Sequence, residues 1–273
     1  MAVTLEEAKK NVQDDLQMGV IDEFQKSNWI LEHITFDDAV TPTGGGATPS
    51  YSYTRLKTQP TAAFREINKE YVPSEVTKER HTVEIKVFGG AYQIDRVIAN
   101  MGGIVSEVEL QQAQKIKAAQ ALFNDTFING DSAKDTKAFD GLDKALTGSS
   151  TEYNIAGTID LSTSELVTKN YQYFLDMLDE FLGGLDGRPS FIAGNNKLIS
   201  KIRACARRAS MYQVTQDNWG NQVESYGDIP FVDMKTKAGT NEEVVPIKSE
   251  DGTTSLYVGR LALDGLHAVS FAG

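Results

Sequence analysis

Residues 104–131 read IVSEVELQQAQKIKAAQALFNDTFINGD, and this stretch decides the fold. Ser106 with Glu109 three residues later is a capping box, in which a hydroxyl and a carboxylate satisfy backbone N–H groups of a helix's first turn. Gly130, directly after Asn129, predicts that the helix ends there in a left-handed cap. At about 1.5 Å per residue the helix would run to roughly 35 Å, long enough to act as a spine for other elements.

The stripe of this helix that should face the core repeats every three to four residues, as expected of an amphipathic helix. Its predicted members are Val105, Val108, Gln112, Ile116, Ala119, Phe123 and Phe127.

Composition indicates a soluble globular chain. Its 273 residues are 40% hydrophobic and 24% charged, enough for a sizeable core and two subdomains. No long apolar run predicts a membrane span, and the N-terminal residues lack the apolar core of a secretory signal. A single cysteine, Cys205, excludes an intramolecular disulfide and a cysteine-based metal cluster.

The net charge of −11 disfavours tight nucleic-acid binding, which needs clustered Lys and Arg. The charge is uneven: residues 1–40 carry nine acids against three lysines, whereas residues 188–215 carry six Lys or Arg and no acid. Such asymmetry fits copies that pack an acidic arm against a basic face, and it equally fits solvated faces of opposite sign.

The first third of the chain predicts a helix, a linker and an extended arm. Thr4 and Glu7 form another capping box before an amphipathic pattern that includes Leu5 and Leu16. Residues 41–49 hold three glycines between prolines, which is typical of a linker. Residues 51–76 are polar and extended, and so few aliphatic side chains could not stabilise a two-stranded arm alone. We expect this arm to be ordered by something outside itself.

Alternating apolar residues and helix caps predict the strands and helices of the rest of the chain. Residues 81–98 alternate as a long half-buried strand with a glycine kink, and Ser162 with Glu165 predicts the start of a helix that closes at Gly183 and Gly184. A short buried strand at 190–193 and a helix from about Asn195 follow. Strands are predicted at 222–225, 228–233, 243–248, 255–260 and 266–271.

No constellation of residues indicates an enzyme or a metal site. The three histidines, His33, His81 and His267, show no ligand spacing, and no Gly-x-Ser-x-Gly elbow is present. The loop at 131–140 has three aspartates, but the EF-hand positions fall on Ala133, Thr136 and Leu142. We therefore predict no catalytic residue, no cofactor and no metal, and a surface turn stabilised by Asp side chains at 131–140.

The order of these elements resembles the major capsid proteins of tailed phages with the HK97 fold. The resemblance rests on the long helix with Phe127-Ile-Asn-Gly-Asp131 and Phe139-Asp-Gly-Leu142, on Pro49-Ser-Tyr-Ser-Tyr53, and on Gly227-Asp-Ile-Pro-Phe-Val232. It implies an α+β fold with an N-terminal arm (1–47), an extension loop (48–76), a peripheral spine-helix domain (77–147) and an axial domain (148–273). The strand at 266–271 is either a return to the peripheral domain or a sign that a C-terminal segment is absent.

The resemblance also implies a function, namely self-assembly of hexamers and pentamers into an icosahedral head that encloses double-stranded DNA. Expected partners are other copies of the chain, a separate scaffolding protein, a portal and nonspecifically bound DNA, with assembly in the host cytoplasm and no membrane. Alternatives are an encapsulin-type nanocompartment shell and an oligomeric tail or decoration protein. The predicted subunit-interface residues are Leu5, Leu16, Tyr51, Tyr53, Arg55, Lys57, Arg65, Lys201, Arg207 and Arg208.

Overall fold

A computed structural model of the chain describes residues 29–40, 50–100, 106–153, 159–210, 213–216 and 222–271. The helices are α1 (Trp29–His33), α2 (Arg96–Ala99), α3 (Glu107–Asn129), α4 (Leu142–Leu146), α5 (Ser164–Gly183) and α6 (Asn196–Arg208). The strands are β1 (Phe36–Val40), β2 (Ser50–Thr58), β3 (Thr77–Glu84), β4 (Phe191–Gly194), β5 (Gln213–Gln216), β6 (Gln222–Tyr226), β7 (Ile229–Asp233), β8 (Tyr257–Gly259) and β9 (Ala268–Phe271).

The chain forms two compact units. One comprises Met1–Thr35 and Val87–Leu266, and the other comprises Phe36–Lys86 and His267–Gly273. No helix within the described ranges is long and apolar enough to cross a lipid bilayer. The predicted N-terminal helix and the linker at 41–49 lie outside the described residues.

The larger unit is built on a five-stranded mixed sheet in the order β5-β6-β7-β4-β8. Its central strand β4 runs parallel to β7 and antiparallel to β8, and every residue of β4 is buried. Burial on both faces explains why its sequence, Phe-Ile-Ala-Gly, is a continuous apolar run. The turn that joins β6 to β7 places Gly227 and Asp228 at φ values of +54° and +65°, as a tight hairpin turn requires.

Helices α5 and α6 pack against each other and against this sheet. The buried core joins Val167 and Leu178 of α5, Cys205 of α6 and Ile192 of β4. The predicted N-cap of α5 is wrong by one position, because Thr163 rather than Ser162 accepts the hydrogen bond from the backbone N–H of Leu166, at 3.2 Å.

Asn195 caps α6 and also anchors it to a distant loop. Its side-chain oxygen accepts a hydrogen bond from the Leu198 N–H at 2.8 Å, while its amide nitrogen donates to the Val245 carbonyl at 3.1 Å and to the Thr254 hydroxyl at 2.7 Å. The residue is 2% exposed. Because the Asn195 side chain bonds both the first turn of α6 and the loop before β8, the cap also holds that loop in place.

The spine helix α3 begins where the sequence predicts, with the Ser106 hydroxyl accepting a hydrogen bond from the Glu109 N–H. The predicted stripe is wrong in the first half of the helix. Ile116 is 51% exposed, and the buried residues of α3 are Ala121, Asn124, Phe127 and Ile128. Among the described residues, buried side chains of α3 occur only in its C-terminal third, and Phe127 of the predicted stripe is one of them.

Gly130 ends α3 as predicted, but the predicted left-handed cap is wrong. Its φ and ψ are −57° and 136°, which any residue can adopt. The glycine is required because a Cβ there would stand 2.2 Å from the Phe139 carbonyl oxygen and 2.4 Å from that of Thr126. Gly141 is equally confined, and its N–H donates to the Gly130 carbonyl at 2.8 Å. The backbones of Gly130 and Gly141 are therefore in direct contact at the two ends of the loop.

Two predicted strands are wrong. The pattern at 81–98 indicated one long half-buried strand, yet β3 ends at Glu84, and Val83 and Val87 are 45% and 102% exposed. The segment 243–248 forms a single bridge between Glu243 and Thr236 instead of a strand. The predicted strands at 190–193, 222–225, 228–233, 255–260 and 266–271 correspond to β4, β6, β7, β8 and β9.

The smaller unit contains two pairs of strands. β1 and β9 pair in parallel, with Phe36 opposite Ala268, so residues far apart in sequence meet here. β2 and β3 form a long antiparallel hairpin that runs from the pair Ser50 and Glu84 to the pair Thr58 and Thr77. The second strand of the predicted arm thus lies beyond residue 76.

We expect Gly130→Ala to lower the free energy of unfolding by at least about 2 kcal/mol, because the added methyl group meets backbone oxygens that cannot swing aside. Urea denaturation of the purified protein measures this change. Gly183→Ala is the matched control: nothing lies within 4 Å of that Cβ, so the variant should be neutral or up to about 1 kcal/mol more stable. Equal effects of the two substitutions would contradict the steric explanation.

Candidate functional site

The β2–β3 hairpin places four predicted interface residues on one face. Side chains alternate along a strand, so Tyr51, Tyr53, Arg55 and Lys57 all point to the same side. The Tyr51 and Tyr53 rings lie 6.4 Å apart, and Tyr53 stacks on the cross-strand His81 at 5.5 Å. This face is an aromatic patch followed by two cations, and the exposed Lys57 lies 3.8 Å from Glu79.

The tip of the hairpin, residues 59–76, is held by side chains rather than by strand pairing. Thr61 and Ser74 exchange two hydrogen bonds, of 2.9 and 3.0 Å, through the serine hydroxyl. The Arg65 guanidinium donates to the Lys69 carbonyl at 3.0 Å and lies 5.3 Å from the Tyr71 ring centroid. Arg65, predicted as an interface residue, thus has an additional role in shaping the tip.

This ordered tip presents apolar side chains to solvent. Phe64, Ile67 and Val72 are 106%, 88% and 88% exposed, and Tyr71 and Leu56 are more than 60% exposed. Exposed apolar groups concentrated on one element usually mark a binding surface. The sequence did not predict these as interface residues, because the arm is polar in overall composition. They could have been predicted from the sequence, because three bulky apolar residues stand in a segment that has neither helical nor strand periodicity.

The three predicted cations of α6 divide into two kinds. The Lys201 ammonium donates to the Ser162 carbonyl at 2.6 Å, and Arg208 donates to the Thr168 hydroxyl and the Ser164 hydroxyl, each at 3.0 Å. Lys201 and Arg208 therefore hold α6 against the start of α5. Arg207 is exposed on the surface of α6. Leu5 and Leu16 lie outside the described residues.

The three aspartates at 131–140 stabilise a turn, as predicted. Asp131 accepts a hydrogen bond from the Ala133 N–H, Asp135 from the Lys137 N–H, and Asp140 from the Ser132 N–H. The Lys144 ammonium lies 2.6 Å from Asp131 and 2.9 Å from Asp140, so the cation between these two carboxylates is a lysine of the same chain. No group of acidic, His or Cys side chains in the described ranges is arranged to hold a metal ion.

Comparison with solved structures identifies the architecture. The encapsulin of the holo-SrpI complex from Synechococcus elongatus superposes with a TM-score of 0.61 over 100% of this chain and 80% of that chain, at 13% identity. This chain has the HK97-like fold. The capsid of a native GTA particle superposes with a TM-score of 0.50 over 96% of this chain and 82% of that one, at 11% identity. Both the α+β fold class and the HK97-fold resemblance are confirmed.

Other comparisons add little to this assignment. A Mycobacterium phage Bobi chain aligns with 88% of this HK97-like chain and 73% of its own length, at 13% identity and a TM-score of 0.48. The sequence matches no family model and no curated protein. The assignment is thus one of fold, carried by three-dimensional similarity alone.

We expect Asp140→Asn to destabilise the subunit at neutral pH and to lose this effect in acid. Hydrogen bonding to Ser132 and the Lys144 ammonium lower the pKa of Asp140 from 3.8 to about 2. A carboxylate with a lowered pKa stabilises the folded state above its ordinary pKa, and the contribution is lost as the pH falls through about 2. Thermal unfolding midpoints of wild type and variant should therefore differ between pH 5 and 7 and converge near pH 2. Asp186→Asn, an exposed acid outside this loop, is the control, and a gap that persists at pH 2 would contradict the prediction.

Proposed function

We propose that the chain is a shell subunit, many copies of which assemble through the β2–β3 hairpin into a closed icosahedral shell of hexamers and pentamers. One observation carries the proposal: the hairpin tip is ordered by its own hydrogen bonds, yet Phe64, Ile67 and Val72 are almost fully exposed. A second copy of the chain would give these side chains a surface against which to become buried.

The energies are adequate for cooperative assembly. Full burial of a Phe, Ile or Val side chain is worth about 1.5–3 kcal/mol, so three of them supply roughly 5–9 kcal/mol per copy before the entropic cost of association. That cost is several kcal/mol, which leaves each contact weak by itself. In a closed shell every subunit both donates a tip and receives one, and repetition around symmetric rings converts weak contacts into a stable particle.

We further propose that the shell is the head of a tailed phage and encloses double-stranded DNA. The predicted division into arm, extension loop, peripheral domain and axial domain belongs to this proposal, as do the interface residues, the scaffolding protein and the portal. With a net charge of −11, contacts between shell and DNA would be few, nonspecific and weakened by salt. The particle would be a virion component assembled in the host cytoplasm.

A structural role also fits the chemistry of the described residues. The thiol of Cys205 is buried in the core, and burial raises its pKa, which opposes formation of a reactive thiolate. His81 lies on a strand against Tyr53, and His33 stacks on Trp29 with 4.1 Å between ring centroids. Both histidines serve as packing groups, so we propose that the chain is not an enzyme.

A nanocompartment shell is the second candidate, favoured by the superposition on an encapsulin over the whole chain. Such a shell would enclose protein cargo instead of DNA. An oligomeric tail or decoration protein is the third candidate, and it would form tubes, rings or trimers.

Negative-stain electron microscopy of the chain, expressed with and without its genomic neighbours, tests the proposal. Closed polyhedral shells are the expected result. Nuclease-protected DNA inside the particles would support the phage head, whereas a co-purifying protein cargo and no DNA would establish the nanocompartment. Monomers or open rings under every condition would overturn the shell proposal.

We expect Phe64→Ser to raise the subunit concentration needed for assembly roughly 10- to 100-fold, because each contact loses the burial of one aromatic ring. Light scattering against subunit concentration measures this threshold. Leu263→Ser is the matched control, since Leu263 is also an exposed apolar side chain, at 62%, but lies outside the hairpin. An unchanged threshold for Phe64→Ser would show that the tip makes no assembly contact.

A further inference from the structure

Helices α5 and α6 lie side by side, and their hydrogen bonds define how they face each other. Arg208, at the last residue of α6, reaches Ser164, the first residue of α5, and Thr168 one turn later. Lys201 reaches the Ser162 carbonyl just before α5. The C-terminal half of α6 is thus attached to the N-terminal end of α5. Each helix also has a flank turned away from the other.

The outer flank of α5 carries an exposed tyrosine and two carboxylates. Tyr173 is 52% exposed, and Asp176 and Glu180 are exposed three and seven residues later, so the three form one stripe. At about 100° per residue, this stripe is rotated by roughly 80–140° around α5 from Thr168, the residue that contacts Arg208. We call Tyr173, Asp176 and Glu180 the acidic flank.

The outer flank of α6 carries arginines. Arg207 is exposed and lies about 100° around α6 from Arg208, which faces α5. Arg203, one turn before Arg207, points the same way and pairs with Glu224 of β6. We call Arg203 and Arg207 the basic flank. The residues on the two outer flanks have opposite charges.

The two flanks cannot meet within one molecule. Arg208, beside Arg207 at the end of α6, contacts Thr168 of α5, and from Thr168 the carboxylates of the acidic flank lie about 12 Å farther along α5 at Asp176 and about 18 Å at Glu180. An arginine side chain spans only about 7 Å. Arg207 therefore does not reach these carboxylates in its own molecule.

A tyrosine face beside two carboxylates is a good receptor for a guanidinium, which can stack on the ring and donate two parallel hydrogen bonds to a carboxylate. We infer that the acidic flank of each copy binds the basic flank of the next copy, with Arg207 as the central cation. The inference rests on the proposed shell function and names a contact within its rings. A contact between two different surfaces is head-to-tail, and it forms a ring when the rotation from one copy to the next closes.

Charge reversal tests the contact. Three variants are compared: Asp176→Lys/Glu180→Lys, Arg207→Glu, and the combination of all three substitutions. Lys137→Glu and Glu250→Lys reverse exposed charges elsewhere and serve as matched controls. The readouts are the threshold concentration for assembly by light scattering, particle shape by electron microscopy, and circular dichroism to verify that each subunit is folded.

Each flank reversal alone should raise the threshold on the order of tenfold or more, because like charges then face each other at every contact. The combined variant should recover most of that loss, since its flanks are again opposite in sign. Added salt should shrink the difference between the variants and wild type. Controls should assemble like wild type.

The outcomes separate the two proposals. Wild type that forms shells while both flank reversals assemble normally would overturn the flank contact and leave the shell function standing. Folded single-flank variants that fail to assemble and are not rescued by the combination would also overturn the contact, because the loss would then not depend on charge pairing. Wild type that never assembles would overturn the shell function itself.

Discussion

The backbone contact between Gly130 and Gly141 is the constraint on which the larger unit depends. With the two glycines in contact, the ten residues between them must form a compact loop, and two aspartates, Asp131 and Asp140, hold that loop against Lys144. The same closure places Asn129, whose amide donates to the Val244 carbonyl at 2.7 Å, and Asp143, which accepts from the Tyr257 hydroxyl at 2.8 Å. The spine helix and the mixed sheet are thereby joined through polar contacts on both sides of one turn. Neither contact would exist if a side chain separated the two backbones.

Local signals in the sequence predicted local structure well. The Ser106 cap, the end of α3 at Asn129, the buried strand β4 and the Asn195 start of α6 each depend on a few neighbouring residues. Predictions were wrong where the structure depends on a residue distant in sequence, or where two neighbouring residues are equally suited to the same role. Ser162 and Thr163 are both good caps, so only the tertiary structure selects between them. The alternation at 81–98 satisfied the strand period, but among the described residues the pairing with β2 extends only to Glu84.

The proposed assembly surface shows the same division between local and distant information. The polarity of the arm could be recognised in the sequence, and it led to the expectation of a partner outside the arm. The exposure of Phe64, Ile67 and Val72 could not be recognised, because it belongs to a tip whose Thr61–Ser74 and Arg65–Lys69 contacts appear only in the structure. On α6, the sequence could count cations but could not separate Lys201 and Arg208, which hold α5, from the exposed Arg207.

The hairpin tip also affects the solubility of the chain before the proposed assembly. A loop that folded back on itself could bury its aromatic and aliphatic side chains before assembly. This tip is instead held by the hydrogen bond between Thr61 and Ser74, and Phe64 is exposed to solvent. A newly made chain therefore already exposes the apolar side chains that the proposed contact would bury. In the proposed shell, the concentration of free chains would have to be limited by the rate of synthesis or by a chaperoning partner, since a high concentration would favour amorphous aggregation over ordered growth.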